Sequence, residues 1–144
     1  MEPKQPNLAV LAVVGRALLA LIFIMSGFTK IFGFRETMAY MAAYGMWNTN
    51  VFLVAAIAVE LVGGLSILVG WKARAGAFAL IAFLLPVTIV FHRVWGVPPG
   101  EQHLQLIQLL KNVSILGGLT LVTAFGAGPI SVDAWLARRK SNVL

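Results

Sequence analysis

At 144 residues the chain has room for one domain, and a composition of 60% hydrophobic against 11% charged residues excludes an ordinary soluble globular protein. Its net charge of +6 comes from eleven Lys and Arg residues that gather at the ends of apolar runs without forming a basic stripe, which points to membrane topology and away from nucleic acid. There is no cysteine, so disulfides, thiolate metal sites and dithiol redox chemistry are excluded for the chain itself, and any redox role borrows its electron carrier.

The first long apolar stretch, 8–28, is broken only by Arg16. At about 1.5 Å per residue it spans roughly the 30 Å hydrocarbon core. Lys4 before an apolar run also suits a cleaved signal peptide, but the run is too long and no small-residue cleavage site follows it. Residues 29–50 mix Lys30, Arg35 and Glu36 with Phe32, Phe34, Tyr40, Tyr44 and Trp47, a pattern that predicts a short amphipathic segment at the interface. A second span, 51–70, carries Glu60 at its midpoint and Gly63-Gly64 one turn later, where small residues let a neighbouring helix approach.

Residues 71–74 allow only a tight connection to a third span, 75–91, in which Pro86 removes a backbone donor and kinks the helix. His92, Arg93 and the turn sequence from Gly96 to Gly100 end it. The fourth span, about 104–125, is polar in its first half, and a basic cytoplasmic tail, 126–144, follows. A short echo of Gly63-Gly64 at Gly117-Gly118 suggests a duplicated helix pair but is too brief to establish one. The expected fold is therefore all-α, a single-domain integral membrane four-helix bundle. Lys4, Lys72, Arg74, Arg138, Arg139 and Lys140 share the side of the termini, which by the positive-inside tendency makes both termini cytoplasmic in a plasma-membrane protein.

Arg16, Glu60 and Lys111 fall inside predicted spans, where an isolated charge costs several kcal/mol and calls for a partner, a wet cavity or a route to the surface. Counting from the span boundaries puts Arg16 about 12 Å and Glu60 about 15 Å from the inner edge, close enough in depth to pair. Lys111, roughly 10 Å below the outer edge, reaches toward the same acid along its flexible stem. The expected cluster is one acid shared by two bases, whose surplus positive charge suits an anion or a neutral acceptor such as a quinone carbonyl. Structural alternatives stand beside it: Arg16 snorkelling to headgroups, and Glu60 in a register-fixing salt bridge.

Gln105, Gln108 and Asn112 share one face of the fourth span, with Lys111 at its edge, and a polar stripe in lipid faces the bundle. His92 and His103 sit near the mouth of the same cavity in hydrated positions that favour no metal or haem. Met25, Met38, Met41 and Met46 read as packing.

Gly15-Arg16, Ser26-Gly27 with Lys30, Glu60-Leu61 with Gly63-Gly64, Phe91-His92, and Lys111-Asn112 with Gly117-Gly118 together resemble the DoxX family of small bacterial membrane proteins over roughly residues 15–135. The tail, Gly126-Ala127-Gly128-Pro129 then Ser131-Val132-Asp133, only approximates the glycine-proline-glycine and serine-x-aspartate ending of relatives. The resemblance implies a four-helix membrane bundle. It also implies relatives that are subunits of oxidoreductases passing electrons from sulfur compounds such as thiosulfate to quinone, or that partner redox-defence proteins.

The ligand-binding candidates are thus Arg16, Lys30, Glu60, His92, Gln108, Lys111 and Asn112, with no metal and no covalent cofactor expected. The leading reading is a quinone-linked oxidoreductase subunit with partner redox subunits, of open oligomeric state. The rivals are a small transporter, which two bases beside Glu60 disfavour as a proton or cation carrier, and a non-catalytic scaffold for partner proteins.

Overall fold

The structure, a computed structural model, describes residues 6–141, and side chains from 8 onward; Lys4 lies outside the described residues. Every regular element among the described residues is helical: α1 (Pro6–Phe32), α2 (Phe34–Ala43), α3 (Thr49–Val69), α4 (Ala73–Phe91), α5 (Pro99–Phe125) and α6 (Val132–Ser141). Helices α1, α3, α4 and α5 are each long and apolar enough to cross a membrane. Their outward faces carry Leu11, Leu18, Val62 and Phe78, each more than 60% exposed, a surface suited to a lipid environment.

The spanning helices neighbour one another in the order α1, α3, α4, α5, and α5 returns to α1 where Gly118 faces Leu19. Glycines set the close approaches. A Cβ at Gly27 would lie 2.7 Å from Leu61, and one at Gly63 would lie 2.7 Å from Leu80, so α3 meets α1 on one face and α4 on the other through bare backbone. The sequence echo does not carry over in packing, because Gly117 faces open space. Between the helices Ala20, Phe23, Ile67, Ala77, Leu80 and Leu119 form the core.

Several boundaries differ from the sequence reading. Helix α1 continues four residues past Phe28, to Phe32, because nothing from 29 to 32 breaks it. The interfacial segment is α2, which packs on α3. Helix α5 starts at Pro99, five residues before Leu104, since proline at the first helical turn gives up only an amide that has no helical partner. Within the region read as a basic tail, Val132–Ser141 folds as α6.

The register of α1 on α3 corrects the depth of Arg16. Gly27 lies beside Glu60 and Leu61, Gly64 beside Ala20 and Ile24, and Gly70 beside the Arg16 guanidinium. Arg16 is thus level with the C-cap of α3, ten residues and about 15 Å along that helix from Glu60. The apolar run of α1 begins well before its neighbours do, so counting from Leu8 placed the boundary too early.

Candidate functional site at the Lys30–Glu60 pair

Glu60 sits at the middle of α3 and is 4% exposed. Its partner is Lys30, whose Nζ donates to Oε1 at 2.9 Å and Oε2 at 3.0 Å. Ser26, one turn before Lys30 on α1, accepts from the same ammonium and donates its hydroxyl to Oε1 at 3.1 Å. Side chains on a helix lean toward its N-terminus, so Lys30, near the C-terminal end of α1, lowers its ammonium past Ser26 to the depth of the carboxylate. Gly27 between them removes the side chain that would hold α3 away. Among the described residues this is the single salt bridge.

Lys30 and Glu60 close one end of a cavity of about 540 Å³ bounded by α2, α3 and α4. Phe52, Phe83, Pro86 and Val87 contribute apolar wall, and Met41 and Met46, read from sequence as packing, line it as well. At the other end Tyr40 and Tyr44 of and beside α2 group with Phe91, ring centroids 5.6 and 5.1 Å away, next to His92. Gly63 facing Leu80 sets Glu60 level with about Phe83, nine residues and roughly 13 Å from His92. The cavity therefore has an ionic inner end, an apolar waist and an aromatic-imidazole outer end. Its size falls in the usual range for small-molecule sites.

His92 caps the C-terminus of α4 and its Nδ1 lies 3.3 Å from Gln105 Oε1. Burial pushes its pKa below the usual 6.5, the charge of Lys111 pushes the same way, and the Gln105 hydrogen bond opposes both. The net shift favours the neutral imidazole.

The other candidates lie elsewhere. Arg16 does not meet Glu60: its Nη1 donates to the Ala127 carbonyl at 2.6 Å and its Nη2 to the Ile130 carbonyl at 3.0 Å, riveting α1 to the loop before α6. Lys111 does not reach Glu60 either; it is exposed and bonded to Gln108 on its own helix. Asn112 donates to Thr88 at 3.0 Å, which sets Lys111 about one turn from the C-terminal end of α4, close enough to the end of the bundle for its long stem to leave it without an acid partner. The α5 stripe does face the bundle, through Asn112 to Thr88 and Gln105 to His92. His103 is exposed and stands outside the lining of the cavity.

Of the seven candidates, the cavity gathers Lys30, Glu60 and His92 and leaves out Arg16, Gln108, Lys111 and Asn112. Sequence reasoning missed Ser26 as a partner, although its spacing of four from Lys30 was the signal. It also missed Asp133, whose carboxylate accepts from the amides of Lys72 at 2.7 Å and Ala73 at 3.1 Å and so caps α4 from a distance. Lys72 has φ +49°, a left-handed conformation that this cap holds in place. Ser131-Val132-Asp133 was the available sign.

The DoxX family model matches residues 11–93, a stretch that holds Ser26, Lys30, Glu60 and His92 and ends before Lys111. The inner membrane protein YphA of Escherichia coli (strain K12) is 32% identical over 86% of this chain and 89% of its own length. Inner membrane protein YqjF of the same organism is 32% identical over 88% of this chain and 92% of its own. The ER-derived vesicles protein ERV29 of Saccharomyces cerevisiae is 27% identical over 83% of this chain but only 31% of its own length. No solved structure matches the chain. With four candidate spanning helices and this family match, the chain is a multi-pass inner membrane protein and belongs to the DoxX family.

Proposed function

We propose that the chain binds a lipophilic quinone in the cavity between α2, α3 and α4 and serves as the membrane subunit of a quinone-linked oxidoreductase. The observation that carries this reading is the cavity itself, a mostly apolar slot of about 540 Å³ inside a membrane protein, with Lys30 and Glu60 toward one end and His92 toward the other. The apolar waist suits a ring and the start of a prenyl tail. The outer end supplies the second ring nitrogen of His92, and the inner end the positive charge of Lys30, whose side chain is 24% exposed while its ammonium donates to Glu60 and Ser26. When bound, the quinone supplies the electron-accepting chemistry. The residues of this chain bind the head group, orient it between two polar ends and exclude water from the slot. With no cysteine in the chain, electrons arrive from a partner subunit. Both termini then face the cytoplasm, following the excess of basic residues at their end.

The exporter alternative requires a carboxylate free to pick up protons or cations. Glu60 held by Lys30 and Ser26 supports it poorly.

The test is retention of quinone by protein purified gently into nanodiscs, with Ala56→Trp as the cavity-filling variant. Bound quinone in near-stoichiometric amount, lost by roughly tenfold or more in the filled variant at unchanged helicity, is expected. No retention by the parent protein, or equal retention by Ala56→Trp, sinks the reading.

A further inference from the structure

The two ends of the bundle differ in charge. At the end that holds the α3–α4 turn and α6, Lys72, Arg74, Arg138, Arg139 and Lys140 are all exposed. The acid at that end among the described residues, Asp133, has both oxygens committed to the amides of Lys72 and Ala73. Among the described residues, the exposed cations therefore face outward with no further carboxylate at that end to meet. At the opposite end Arg35, Arg93 and Lys111 are offset by Glu36 and Glu101.

The basic end also has the aromatic arrangement of a headgroup boundary. Trp71 and Trp135 are each about half exposed, and each carries a cation over its ring: Lys72 at 5.1 Å from Trp71, Arg139 at 4.0 Å from Trp135. An indole prefers the interfacial layer, and a cation above it then stands at the level of lipid phosphates. Leu136 and Ile130 add exposed apolar surface beside Trp135, which a purely aqueous acidic partner would leave unsatisfied.

Helix α6 presents these groups from a fixed position. The backbone amide of Asp133 donates to the Gly70 carbonyl at 2.8 Å, Ser131 Oγ accepts from the Ala134 amide at 3.1 Å, and Arg16 holds the preceding loop by two carbonyls. A short helix tied at its base to α1, α3 and α4 keeps its three terminal cations at one height relative to the bundle.

We propose that this end of the protein is a docking surface for anionic phospholipid headgroups, with α6 lying on the bilayer surface and Lys72, Arg139 and Lys140 engaging phosphates around Trp71 and Trp135. Each cation near an anionic surface adds to the attraction, and the attraction is screened by salt.

The experiment uses the full chain with Trp47, Trp71 and Trp95 changed to Phe, so that Trp135 alone reports. It is reconstituted in phosphatidylcholine bilayers containing phosphatidylglycerol, with bromine-labelled chains on one lipid or the other at equal mole fraction. Brominated phosphatidylglycerol is expected to quench Trp135 as if locally enriched by roughly threefold or more, with the excess lost in high salt and in the Lys72→Gln, Arg139→Gln, Lys140→Gln triple variant. A Trp95-only protein, reporting from the other end, should show no preference. Equal quenching of Trp135 by the two lipids overturns the proposal, as does a preference shared by Trp95, and these readouts do not depend on whether the triple variant folds. A preference that survives in a folded triple variant overturns it too.

Discussion

Arg16 and Glu60 are both charged, about equally buried at 5% and 4% exposure, and both on membrane-spanning helices, yet their surroundings differ in kind. Arg16 gives its protons to two main-chain carbonyls of a loop packed so closely that a Cβ at Gly70 would strike the guanidinium. Glu60 is met by a long side chain let down from the C-terminal end of α1, and a cavity opens beside it. Burial alone therefore does not separate a structural charge from a candidate site. A charge satisfied by fixed carbonyls in a filled space holds two segments together, whereas one satisfied by a flexible partner at the edge of an open space marks where a ligand would be sought.

The largest effect should come from Arg16. Arg16→Gln leaves two main-chain carbonyls, one buried and one part-buried, without donors and is expected to cost about 3 kcal/mol in reversible unfolding in bicelles. Arg16→Lys should recover only part of that, because a point charge does not span two carbonyls as the guanidinium fork does. Retention of quinone per folded molecule should not change. If either variant is stable but loses ligand, Arg16 belongs to the site and the contrast with Glu60 fails.

The ion pair should respond asymmetrically. Lys30→Met strands the carboxylate at mid-depth with Ser26 alone and is expected to cost about 2 to 3 kcal/mol. Glu60→Gln should cost about 1 kcal/mol, since the freed Lys30 sits near the end of α1 and can extend toward headgroups. The double variant should be more stable than Lys30→Met, with a coupling of about 2 kcal/mol in a double-mutant cycle. Strictly additive losses would mean that the pair does not act as a unit.

The four spans were legible because apolar runs of this length leave no other stable arrangement, and Glu60 stood out because nothing at mid-depth resembles it. The wrong pairing had a definite origin. Depth was counted from where each sequence becomes apolar, but helices set their register by contact, and the contact here is made by glycines. Gly27 against Leu61 brings Ser26 and Lys30, not Arg16, to Glu60. Lys30 was placed with the interfacial segment because its Cα lies near the helix end, and only its side-chain conformation carries the charge back to Glu60. Asp133 was obscured by reading residues 126–144 as a tail, although a carboxylate two residues after a serine is a common way to start a helix and cap another.

The smallest effect tests the far end of the cavity. His92 should titrate below 6.5, followed by its ring-carbon proton shifts. Its two polar neighbours act in opposite directions, so Lys111→Gln should move the midpoint up and Gln105→Leu should move it down. The linkage has a definite sign: the unfolded chain takes up the imidazole proton first as pH falls, so the protein loses stability on acidification below about 6.5, and the loss ends once the folded His92 is protonated as well. Both shifts in one direction would mean that Lys111 and Gln105 act through a changed packing of α5 on α4. The outer end of the cavity would then be set by helix position, as the surroundings of Arg16 are, and not by side chains free to answer a ligand.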